Sequence, residues 1–279
     1  MFIKTARFLM FIGFTMMLSA CASSHNGHEM DHMGHQDQQA NETTSEYSVT
    51  YTFPQEKPSA QQPTKLEIAI ADSSNEVVEQ FEINHEKLLH LIAVNHDLSQ
   101  FMHLHPEYDG QGKFHLETTF PVGGSYKLFA DFVPAGGEAT TASDWVEVQG
   151  DEAPHQDLIP TEKNSEGVML KNVDGKEVEL KPTSLQANQD VSLIFTIRDA
   201  ANQTPIQNLQ PYLGAIGHVV IISADAEQYL HVHPMNGKST GPEAVFHTIF
   251  PESGIYKIWA QFQHEDRVFT ADYVVEVKS

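Results

Sequence analysis

His90-Leu91-Ile92-Ala93-Val94, then Phe101-Met102-His103-Leu104-His105-Pro106, then Phe120-Pro121-Val122-Gly123-Gly124-Ser125-Tyr126-Lys127 decide the fold, because the chain contains them twice. Farther along stand His218-Val219-Val220-Ile221-Ile222, then Tyr229-Leu230-His231-Val232-His233-Pro234, then Phe250-Pro251-Glu252-Ser253-Gly254-Ile255-Tyr256-Lys257. The offset is 128 residues for the first two blocks and 130 for the third, so the slip falls in the loop after His-x-His-Pro. Upstream, Leu66–Asp72 matches Leu193–Asp199 in the same way. The chain is a tandem duplication.

Each block is short, rich in Val, Ile, Phe and Tyr, and bounded by Pro, Gly, Asn or Asp. No segment carries a long 3.6-residue period. That pattern predicts an all-β protein of two tandem immunoglobulin-like β-sandwich domains. The domains are expected at 47–149 and 168–279. A linker at 150–167, with Gly150, Pro154, Pro160 and several acids, separates them.

The first residues read as a lipoprotein signal peptide, 1–20. Lys4 and Arg7 precede an apolar run from Phe8 to Leu18. Eleven residues are too few for a bilayer span, which needs about 20, but suit a signal-peptide core. Leu18-Ser19-Ala20-Cys21 follows and resembles the lipobox of bacterial lipoproteins. That resemblance implies cleavage before Cys21 and a lipid on its thiol. The expected location is the extracytoplasmic face of the cell membrane, with the membrane itself as a partner through the anchor. Cys21 is the chain's single cysteine, so no internal disulfide is available. Residues 21–46 are polar and aperiodic and are expected to form a disordered tether.

Charge excludes one class of partner. Sixteen basic residues against 38 acidic ones give a net −22, which repels nucleic acid. Histidine is the unusual count, at 16, equal to Lys and Arg together. Removal of the signal would leave five methionines, and four of them (Met30, Met33, Met102 and Met235) lie within two residues of a histidine.

In His103-Leu104-His105 the two imidazoles share one face of a strand, about 6–7 Å apart. Leu104 turns to the core. A hairpin through Asn95–Gln100 would bring His90 beside them at one rim of the sandwich. His218, His231 and His233 repeat the set, and Met235 adds a thioether. Three imidazoles suit Cu, Zn, Ni or Fe. Histidines at a strand end also serve as structural hydrogen-bond donors. In the tether, His25, His28, Met30, His32, Met33 and His35 combine imidazole with thioether, which favours Cu(I). Copper is therefore the expected ion, with zinc as the alternative. His85, His96 and Asp131 are weaker candidates, because the second copy lacks their counterparts. Met102 is assigned to the core, and His115, His155, His247 and His264 to the surface.

No enzyme motif stands in its required context. Glu107 follows His105 too closely for a cupin, and there is no second cysteine for a blue-copper ligand. Gly237-Lys238-Ser239-Thr240-Gly241 and His28-Glu29-Met30-Asp31-His32 match the bare Gly-x-Ser-x-Gly and His-Glu-x-x-His patterns, but neither lies in the helical context that a nucleophile elbow or a zincin motif requires. The chain is read as a non-enzyme.

The blocks His90–Val94, Phe101–Pro106 and Phe120–Phe132 resemble secreted bacterial proteins with YtkA-like or FixH-like domains, similar in style to CopC copper-resistance proteins. The resemblance covers most of the first copy and, more loosely, the second. It implies an immunoglobulin-like sandwich and an association with copper handling, with a copper transporter or oxidase as the class of protein partner. The competing expectation is a metal-independent adhesion or interaction module at the cell surface.

The lipobox reading has a direct check. Cys21→Ala should move the protein from the detergent phase to the aqueous phase in a detergent partition assay. Retention in the detergent phase would remove the anchor.

Overall fold

The computed structural model describes residues 46–232, 234 and 239–279. The signal segment, Cys21 and the His/Met tract (His25, His28, Met30, His32, Met33, His35) lie outside the described residues, as do His233 and Met235.

Strand-forming alternation is clearest in Thr64–Asp72. Leu66, Ile68 and Ile70 are buried, while Lys65 is exposed and Glu67 half-buried. Branched and aromatic side chains on every second position give a strand with one dry face. The first repeat builds nine strands: β1 (Tyr47–Thr52), β2 (Thr64–Asp72), β3 (Phe81–Glu82), β4 (Leu89–Asn95), β5 (Phe101–Leu104), β6 (Glu107–Tyr108), β7 (Lys113–Thr118), β8 (Gly124–Pro134) and β9 (Thr140–Val148). The second builds eight: β10 (Met169–Val173), β11 (Lys176–Pro182), β12 (Asp190–Asp199), β13 (Gly217–Ser223), β14 (Tyr229–Val232), β15 (Glu243–Ile249), β16 (Gly254–His264) and β17 (Arg267–Val277).

Repeat one pairs β1-β2-β7-β6 in one sheet and β5-β4-β8-β9 in the other, with β3 also on β8. Repeat two pairs β10-β11-β12-β15 and β14-β13-β16-β17. The orders correspond to the two sheets of an immunoglobulin-like sandwich. The two cores are separate. One centres on Leu66, Ile68, Phe114 and Phe132, the other on Leu193, Phe195, Phe246 and Phe262.

A tyrosine fixes the same corner of each sandwich. Tyr126 donates to the carbonyl of Val122 at 3.2 Å, and Tyr256 to that of Glu252 at 3.0 Å. This is the tyrosine corner of immunoglobulin-like domains. It explains why Tyr sits at the same place in Gly124-Ser125-Tyr126 and Gly254-Ile255-Tyr256.

β4 and β13 break the alternation. All seven residues of each are buried. Leu91 and Ala93 enter the core of repeat one. Ile92 and Val94 point the other way and join Val220 and Ile222 of repeat two in a third apolar cluster. The two repeats thus pack through the β4–β8 and β13–β16 sheets.

The contacts across this interface are reciprocal. Phe101 stacks on Trp259 with centroids 4.7 Å apart, and Phe129 stacks on Tyr229 at 4.9 Å. Phe101 and Tyr229 are duplicates of each other, as are Phe129 and Trp259. Lys127 Nζ reaches Glu227 Oε1 at 2.8 Å, and its duplicate Lys257 reaches the carbonyl of Leu98, also at 2.8 Å. Such exchange of partners is the signature of a twofold interface, here made within one chain.

Trp259 is buried between the repeats. Trp259→Ala should cost about 3–5 kcal/mol in urea-induced unfolding, the scale of a large aromatic removed from a core. A loss within about 0.5 kcal/mol, typical of a surface change, would mean that the repeats do not pack this way.

Candidate metal centre

His90 is the second residue of β4 and shares the outward face with Ile92 and Val94. In the β4–β5 ladder Leu91 faces Leu104 and Ile92 faces His103. Continuing that register sets His105, just past β5, opposite His90. Side chains directly opposite or diagonal on one face are within reach of each other. The ring centroids of His90, His103 and His105 are 5.3, 5.2 and 4.7 Å apart in the three pairings. One nitrogen from each ring lies within 4.8 Å of the others. The three imidazoles expected to meet in repeat one do meet.

Outer hydrogen bonds orient two of the rings. His90 Nε2 lies 3.0 Å from the carbonyl of Asn84. A carbonyl only accepts, so Nε2 carries the proton. His103 Nδ1 lies 2.7 Å from Gln261 Oε1, whose own amide nitrogen donates to Thr270 Oγ1 at 3.1 Å. With the amide in that orientation the His103 proton sits on Nδ1. The remaining nitrogens, His90 Nδ1 and His103 Nε2, face each other at 3.0 Å. In that tautomer both turn lone pairs toward one spot, which a cation would bridge; with the Gln261 amide turned round and accepting from the Thr270 hydroxyl, the same pair forms an N–H···N hydrogen bond. Backing a ligand imidazole with a carbonyl or amide oxygen is how metal sites fix tautomer and ring angle.

His105 completes the set. Its Nε2 is buried and has no hydrogen-bond partner among the described residues. Burial, then the neighbouring His90 and Lys87, lower its pKa from 6.5 to about 4. The ring is neutral at pH 7, the form that binds a metal. Nitrogens about 2.0–2.1 Å from a tetrahedral ion lie roughly 3.3 Å from each other. The 3.0 Å pair and the 4.8 Å limit bracket that spacing, so the residues fit a transition-metal ion.

The set lies at one end of the strands, where His90 stands second in β4 and His105 follows β5. The cluster lies on the outer face of the β4–β5 sheet and is covered by repeat two. The reason is the apolar outer face of β4, which draws the second sandwich over it. His218 comes with that sandwich, its ring 5.9 Å from both His90 and His103. His85, a weak candidate in the sequence, lies 4.8 Å from His218 and 6.4 Å from His90. Gln261, the partner of His103, was not singled out by the sequence, because its role depends on an inter-repeat contact. His231 holds a place in β14 opposite Val220, equivalent to His103 opposite Ile92. Asp131 is buried and accepts a hydrogen bond from Tyr229 at 3.2 Å, which ties it to the interface. His96 packs beside Trp145, and Met102 packs against the core of repeat one. His115 and His155 have side chains 49 % and 73 % exposed, so they are surface residues.

A family profile described as "Domain of unknown function (DUF8832)" matches residues 42–150 and again 171–279. The chain belongs to this family. It carries the domain twice, in step with the duplicated blocks. No curated protein matches it. Among solved structures it is similar to FdeC, an Escherichia coli adhesin, at 14 % identity over 83 % of this chain and 64 % of that one, TM-score 0.25. A tetra-tandem repeat from a large adhesion protein aligns at 10 % identity over 83 % and 49 %, TM-score 0.27. The Yersinia pseudotuberculosis adhesin InvE aligns at 10 % identity over 83 % and 59 %, TM-score 0.23. The chain thus spans less than two thirds of each of these structures, and at such TM-scores the likeness adds nothing to the strand order given above.

The His105 shift sets a pH dependence for the metal-free protein. Its folded pKa, about 4, lies below the unfolded value of 6.5. Between those limits the unfolded chain binds more protons, so stability rises with pH. The contribution is complete above about pH 6.5 and lost as pH falls toward 4. Urea midpoints across pH 4–7 should therefore rise less steeply for His105→Asn than for wild type. Equal slopes would contradict the assigned burial.

Proposed function

We propose that this protein binds a transition-metal ion, copper foremost and zinc as the alternative, outside the cytoplasm, and buffers or delivers it without catalytic turnover. One observation carries the reading. His90 Nδ1 and His103 Nε2 face each other 3.0 Å apart while their outer nitrogens are held by Asn84 and Gln261. Two imidazoles backed on their outer nitrogens and turned toward one spot are how a metal site presents its ligands. His105, neutral and adjacent, supplies the third nitrogen.

Copper is preferred because of the tether. Met30 and Met33 among His25, His28, His32 and His35 offer thioether with imidazole, a combination that hard ions do not seek. The tether, polar and aperiodic in sequence, would collect the ion loosely, since gathering its ligands costs chain entropy. The folded histidines would then hold it more firmly. A lipid on Cys21 would keep both at the membrane face, within reach of a copper transporter or oxidase. In repeat two, His218, His231, His233 and Met235 repeat the pattern in sequence, with His233 and Met235 outside the described residues.

The second reading is an interaction module without metal, of the kind named in the adhesin structures above. Two sandwiches docked in series on a lipid tether present a large surface, and that architecture favours it. Equilibrium dialysis of the metal-free protein against copper and zinc separates the two. Joint replacement of His103 and His105 by Ala should lower copper stoichiometry by about one, with the fold checked by circular dichroism. An unchanged stoichiometry removes this site, and no uptake by wild type leaves the interaction module.

A further inference from the structure

We infer that the ion is held by four histidines from both repeats, with His218 as the fourth ligand, so that metal binding ties the two sandwiches together. This rests on the metal-binding reading above and adds the ligand that repeat one lacks. Four imidazoles around one tetrahedral ion at about 2.0 Å place their ring centroids roughly 5 Å apart. The three rings of repeat one already do so, at 4.7 to 5.3 Å. His218 stands 5.9 Å from His90 and 5.9 Å from His103. Its nitrogens stand outside the 4.8 Å set of the other three, and a movement of about 1 Å brings its ring to the tetrahedral distance from His90 and His103.

Repeat two is built to bring it there. His218 pairs with Gln261 across β13 and β16, and Gln261 is the residue that holds His103. One rung of the second repeat's sheet therefore supplies both the fourth imidazole and the outer support of the second. Tyr212 closes the side, 5.5 Å from His218 and 6.4 Å from His103 by ring centroids. His218 is 2 % exposed, so solvent water has little access to the fourth position. Imidazole rings in that setting favour a closed, four-coordinate site over one with an open position for chemistry.

The test uses the full lipid-free chain, Cys21→Ala, loaded with half an equivalent of zinc, a redox-silent ion of four-coordinate habit. X-ray absorption should count four imidazoles for this chain and three for the same chain carrying His218→Gln. Zinc affinity should fall at least about tenfold in the His218→Gln chain, the lower scale for loss of a supporting contact. Hydrogen exchange on the unsubstituted repeats provides a readout that needs no His218 change. Zinc should slow amides in β13 and β16 as well as in β4 and β5. Four imidazoles and equal affinity in both chains, or protection confined to repeat one, would overturn the inference while leaving the metal-binding reading intact. Absence of any zinc or copper uptake would overturn that reading itself.

Discussion

Burial of β4 and β13 on both faces is the constraint on which the rest depends. A sandwich sheet needs one apolar face for its own core. These sheets have two. The second face carries Ile92, Val94 and Phe129 in one repeat and Val220, Ile222 and Trp259 in the other. Left in water, that surface would be a large exposed apolar patch. Docking the repeats removes it. The polar residues at its margin are then forced into contact: His90, His103 and Asp131 from one side, His218, Tyr229 and Gln261 from the other.

The candidate metal centre lies at that margin. Imidazole buried beside hydrocarbon loses water and needs a partner for each nitrogen. The outer nitrogens of His90 and His103 have a carbonyl and an amide oxygen. Their inner nitrogens point at one spot, where His105 also points. An apolar interface around such a spot weakens competition from solvent and strengthens electrostatic contact with a cation. Hydrophobic docking and ligand placement are thus one event in this fold. The aromatic stacks align the sheets, and the alignment sets the distance between the rings.

Much of the architecture was legible in the sequence. Repeated blocks at nearly constant offset gave the two sandwiches, and the i, i+2 spacing of His103 and His105 gave a common face. The inter-repeat packing was less legible, though its signal was present. Leu91–Val94 and Val219–Ile222 are continuous apolar runs, and a strand that lacks alternation is one covered on both sides. What no pattern in the sequence could supply was the partner of that covered face. Gln261 and His218 reach His103 only through contacts between segments more than a hundred residues apart. His85 ranks low in the sequence because repeat two lacks its equivalent, yet one of the rings beside it, His218, belongs to repeat two. Comparison of the copies finds what they share, and a joint site also draws on what they do not.

The pairing of Asp131 with Gln261 as duplicates has a consequence of its own. A homodimer built on the same twofold interface would present identical residues on both sides, and any change would appear twice. Fusing the halves in one polypeptide frees each side to diverge. Here one position is an amide that holds a ring, and the other is a carboxylate that accepts a phenol. Asymmetry of this sort lets one pocket specialise while its twin keeps the join, an option that opens only when the two subunits are encoded as one chain.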